Sequence, residues 1–139
     1  MLFTFILAAH NIVRWIILVL GIIALFRAYR GWLGKQPWTS TDRKVGVFFG
    51  SALDVQLLLG IVLVILLGIQ AGVASLGPYL VEHVLPMLLA VILAHVGSVR
   101  SRKSASDAEK HKQAAIWYTI VFLVLLVAIP WRSRLLPRF

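Results

Sequence analysis

VGVFFGSALDVQLLLGIVLVILLGI, residues 45–69, decides the fold. One charged side chain, Asp54, sits in a run long enough to cross the hydrocarbon core of a bilayer as a helix, which takes about 20 residues. No polar stripe recurs at helical spacing, so the segment is not one face of a soluble core. Working outward, three more such runs occupy about 2–26, 78–99 and 107–129. The pattern predicts an all-α, integral membrane four-helix up-down bundle forming a single domain over residues 1–139.

The punctuation agrees. Arg27 and Arg30 follow the first run; Thr39, Ser40, Thr41 and Asp42 are candidate caps for the second. Gly77-Pro78 opens the third, with proline tolerated in a first turn. Ser106 with Glu109 is a capping-box signature for the fourth, and Pro130 stops it. Met1 to Phe5 lacks the basic start of a secretory signal, so the first run is expected to be a retained helix.

Composition points the same way. The chain is 60% hydrophobic with a mean hydropathy of +0.92. Cysteine is absent, which excludes disulfides, thiolate-held iron–sulfur clusters and covalently attached haem. A net charge of +9 would point to nucleic acid in a soluble protein. Here the cations flank the spans, so the expected partner is the lipid bilayer and not nucleic acid. Arg27, Arg30, Lys35, Arg43 and Lys44 lie in the first loop, and Arg100, Arg102, Lys103, Lys110 and Lys112 in or beside the third. The loop from Gln70 to Gly77 carries no charge. The positive-inside rule then places both termini outside a bacterial inner membrane, against the minor vote of Arg132, Arg134 and Arg138.

The chemistry rests on four histidines. His10, His83 and His95 fall inside spans, and His111 lies early in the fourth. An imidazole in hydrocarbon needs a partner, and neutral imidazole is a common axial ligand of haem iron. Two pairs at two depths, His10 with His83 and His95 with His111, predict one or two b haems held by bis-histidine ligation. One calculation opposes a simple stack: His95 follows His83 by twelve residues, about 120° around a helix. Purely structural readings compete, with His10 bonded inside the bundle, His83 interfacial beside Glu82, and His111 solvated between Lys110 and Lys112.

Arg14 and Asp54 are the other costly residues, each about 2.5–3.5 kcal/mol on insertion scales. By depth they are expected to pair; Arg14 is alternatively placed to face a haem propionate or a bound anion. Gln56, on nearly the opposite face from Asp54, receives no role. Gly46 and Gly50 precede Asp54 at four-residue spacing, and Gly21, Ala24 and Ala28 make a like stripe on the first helix. Such stripes serve either close helix packing or a groove for a porphyrin. No lysine lies in a span to form a retinal-type Schiff base, and no helical zinc pair, phosphate loop or triad setting is present.

His10, Asn11, Arg14 and Trp15, then Asp54, Gln56 and Gly60, then Glu82-His83, and finally Ile129-Pro130-Trp131 together resemble small bacterial four-helix membrane proteins described as cytochrome b-like. More broadly the chain is similar to four-helix b-type cytochromes that exchange electrons with quinones. The resemblance implies His10, His83, His95 and His111 as ligands, and a quinone-linked oxidoreductase or electron-transfer subunit. Quinone or quinol, and a larger membrane redox complex, are the expected partners. Two other classes stay open: a transporter or proton relay using Arg14, Asp54, Glu82 and the histidines, and a haem-free accessory subunit.

Overall fold

A computed structural model of the chain describes residues 1–131, and among them every regular element is helical. Helix α1 covers Leu2–Leu33, α2 Ser40–Ala71, α3 Val73–Lys103 and α4 Asp107–Ala128. Each is long and apolar enough to cross a membrane. Arg132, Arg134 and Arg138, which entered the charge count, lie outside the described residues.

Consecutive helices pack as antiparallel neighbours and α4 closes against α1, so α1 and α3 face each other across the diagonal of a four-helix bundle. The outward faces are apolar: Phe5, Phe26, Leu58, Ile65, Leu85 and Val127 are all exposed. Phe49, Ala90, Ala115 and Val121 fill the centre, fully enclosed.

The helices overrun the apolar spans read from sequence, and the reason is local. Charge ends a span, but it does not end a helix. Arg27 and Arg30 therefore stay helical, and α1 stops only where the Gly34 N–H closes on the Arg30 carbonyl and Lys35 takes φ of 50°. Thr39 then starts α2 with a full capping box: its hydroxyl accepts from the Asp42 N–H, and the Asp42 carboxylate accepts from the Thr39 N–H at 2.8 Å. Arg27 Nε donates to the same carboxylate at 2.9 Å, stapling the end of α1 to the start of α2. At Ser106 half of the expected box forms. The serine accepts from the Glu109 N–H, while the Glu109 carboxylate takes the Gln113 amide instead.

α3 is the irregular helix. It opens with a 3₁₀ turn at Val73–Leu76, has Pro78 in its first α-turn, and widens into a π turn over Leu80–Val84 before running as regular helix from Leu85. Pro86 explains the widening, because its ring nitrogen brings no N–H to the preceding turn and its ring crowds the carbonyl there. The widened turn carries His83.

α4 is also the shortest helix, 22 residues against 32 in α1 and α2. It ends level with His83 and Arg14, so the first turns of α1 and the last of α2 run on without it as a neighbour. A space opens there in the bundle.

Candidate functional site

That space, about 1350 Å³ counting the part open to the surroundings, lies at the end of the bundle away from the basic loops. Its wall is almost wholly apolar, built from residues such as Leu7, Leu57, Leu67, Met87 and Ile129. Into it come His10, Asn11 and Arg14 from α1, Gln56 and Gly60 from α2, and Tyr79 and His83 from α3.

The two histidines meet across the diagonal, with ring centres 6.4 Å apart and planes inclined at 69°. Nδ1 of His83 lies 2.7 Å from the Ala128 carbonyl oxygen. A carbonyl only accepts, so Nδ1 carries the proton and Nε2 keeps its lone pair. Nitrogen–metal bonds of imidazole are about 2.0–2.1 Å. Two such bonds in line, with the ring radius added at each end, put ring centres roughly 6 Å apart. The spacing therefore suits one metal centre between the rings, and the His83–Ala128 bond is of the kind that would orient a ligating imidazole. Gly60 faces His10: a Cβ there would come 3.5 Å from Cε1 of the ring, an ordinary contact.

Four buried polar atoms around this space have no hydrogen-bond partner: His10 Nδ1, Asn11 Oδ1, Arg14 Nε and Gln56 Oε1. Unsatisfied buried groups are rare, and four on one cavity are explained by something that fills it. Bis-imidazole donors, an apolar wall and a guanidinium with a free N–H fit haem b and its propionates. Asn11 and Gln56 are the residues that sequence reasoning passed over. Gln56 and Gly60 at i, i+4 share one face of α2, and that spacing was the available signal.

The other expected pair does not form. His95, on α3, packs against α2, its Nε2 donating to Asp54 Oδ1 at 2.8 Å and its ring beside Gly50. His111 is wholly buried among residues of another corner, against Trp38 at 4.9 Å and resting on Gly31, with Nε2 3.4 Å from the Pro37 carbonyl. The turn between His83 and His95 carries His95 toward α2, so His95 and His111 take different neighbours.

Two related expectations are also corrected. Asp54 pairs with His95, not with Arg14, whose guanidinium carbon stands 5.4 Å from the centre of the Trp15 ring and 6.0 Å from that of Trp131. The Gly46–Gly50 stripe leaves no porphyrin groove, because the Tyr118 hydroxyl occupies the hollow at Gly46 and His95 the one at Gly50. Glycine there admits side chains from α4 and α3. No cluster of three or more histidine or acidic residues suited to a bare metal ion occurs among the described residues.

Comparison with protein-family models, with curated proteins and with solved structures finds no match.

Proposed function

We propose that this chain is an integral membrane b-type cytochrome that holds one haem between His10 and His83 and passes electrons within the bilayer. The observation that carries the reading is the His10–His83 pair itself: the ring spacing of 6.4 Å, with the His83 tautomer held by Ala128. Haem iron between two imidazoles changes between ferrous and ferric and so carries single electrons. His83 supplies Nε2 with Nδ1 anchored, and His10 supplies the opposing ring from the first helix. Arg14 balances the negative charge of a carboxylate group in a setting where an unpaired charge is costly. The apolar wall keeps water from the ligands.

The cations gathered at the far end of the bundle support an orientation with both termini outside a bacterial inner membrane. Quinol or quinone is the electron partner that meets such a site from the lipid, and a larger redox complex is the protein partner. A proton relay has less support, since Asp54 is taken by His95, Arg14 by tryptophan rings, and Glu82 lies exposed on α3.

Protein purified from cells supplied with haem precursor tests the reading through its reduced-minus-oxidised spectrum and its haem content. A b-type α-band with one haem per chain is expected. Colourless protein that is otherwise monodisperse overturns the reading.

A further inference from the structure

The hydrogen-bonded pair of Asp54 and His95 takes no part in the cavity, yet it sits inside the apolar spans of α2 and α3. At 1.5 Å per residue, Asp54 lies about 14 Å past Val45, where the apolar span of α2 starts, and His95 about 6 Å before Val99, where that of α3 ends. The two side chains are nonetheless 46% and 52% exposed, and exposed to an apolar surface. Leu58, one turn beyond Asp54, and Ile92 and Val99, one turn to either side of His95, are exposed on the same faces. Only one bond satisfies the pair, between Nε2 and Oδ1. Among the described residues no hydrogen bond reaches Nδ1 of His95 or Oδ2 of Asp54. In hydrocarbon such groups require a partner. Lipid head groups stay at the interface, outside these spans.

We infer that the Asp54–His95 pair binds the head group of a lipid-soluble quinol or quinone, which reaches it from the bilayer. The inference rests on the membrane-spanning reading above and names the electron partner's place. The chemistry of the pair matches both forms of such a molecule. With Nε2–H given to Asp54, the lone pair on Nδ1 accepts from a quinol hydroxyl. With the imidazole doubly protonated and held by the carboxylate, Nδ1–H donates to a quinone carbonyl. Gly50 presents no side chain beside the ring, which lets His95 lie close against α2. Leu58 and Ile92 offer apolar contact to its tail. Leu53 and Val91, one residue before Asp54 and one turn before His95, line the cavity, so the pair and the cavity share one stretch of α2 and α3.

The test uses the full chain in lipid nanodiscs and a photoreactive azido-ubiquinone with a decyl tail, the label being mapped by mass spectrometry. Label is expected on the α2 and α3 peptides around Asp54 and His95, and excess decyl-ubiquinone should compete it away. Labelling should fall at least tenfold in His95→Phe. The double variant Asp54→Leu with His95→Phe should behave alike, and because it removes both polar groups from an apolar face it guards against loss of fold. Label that resists competitor, or that persists in both variants, overturns the inference. So does a disulfide-linked dimer of His95→Cys that forms equally with excess decyl-ubiquinone present, because a second copy then covers the pair. Colour, read on the same samples, reports the His10–His83 site separately.

Discussion

The two ends of this bundle hold the same residue type under opposite terms. At the end where α4 stops short, His10 and His83 approach each other across an open space and leave polar atoms without partners. At the basic end His95 is bonded to Asp54, and His111 packs under Trp38 with its Nδ1 alone lacking a partner. The difference follows from helix length and from one proline. Where four helices run side by side, small residues draw the backbones close and side chains fill the core. Where only three run on, and Pro86 widens a turn of α3, the core is left unfilled and two imidazoles face it. A histidine count cannot distinguish these cases. Four unsatisfied atoms gathered on one cavity, against the lone Nδ1 of His111, can.

The comparison breaks most visibly in haem content. His10→Ala and His83→Ala should each lower bound haem at least tenfold, since in the proposed reading the two residues would hold the same iron. His111→Leu should retain one haem per chain with an unchanged spectrum, because its ring touches Gly31, Trp38 and Pro37 and not the cavity. Pyridine haemochrome assay on the three purified variants decides. Loss of half the haem in His111→Leu would restore a second site at the basic end.

An intermediate effect sharpens the packing side. A Cβ at Gly31 would collide with the His111 ring, which is buried against Trp38. Overpacking of this kind costs about 1–3 kcal/mol, more than the roughly 0.5–1 kcal/mol that alanine gains over glycine within a helix. Gly31→Ala should therefore lower the unfolding midpoint in mixed micelles while haem content holds. In a His111→Ala background the collision is gone, and the same Gly31→Ala change should become neutral or stabilising. A midpoint that falls equally in both backgrounds would show that His111 is not what occupies the hollow.

Much of this architecture was legible in the chain. The run 45–69 and its three counterparts announce four membrane-length helices, and Thr39 with Asp42 announces the start of α2. The diagonal placement of His10 and His83 follows from antiparallel order and depth. Two things were not legible. Rotation along α3 depends on how far Pro86 widens the helix, which sequence spacing cannot supply. The choice of partner for Asp54 depended on azimuth as well as depth; Arg14 and His95 are both reachable by depth, and only the packed bundle turns Asp54 toward α3.

That choice yields the smallest and most discriminating effect. If Arg14 and Asp54 were a buried ion pair, removing one partner would strand the other, and the double variant would recover stability. The structure gives them separate companions, tryptophan rings for Arg14 and His95 for Asp54. Residues without shared partners add within about 0.3–0.5 kcal/mol. Arg14→Ala and Asp54→Asn should therefore sum in the double variant, whereas Asp54→Leu and His95→Phe should show a coupling above that limit, because each removes one half of the same hydrogen bond. Unfolding midpoints of the single and double variants in one mixed-micelle series measure both couplings. Rescue of Arg14→Ala by Asp54→Asn would mean that the two side chains do meet near the middle of the bundle, and would return Asp54 to the end that holds the cavity.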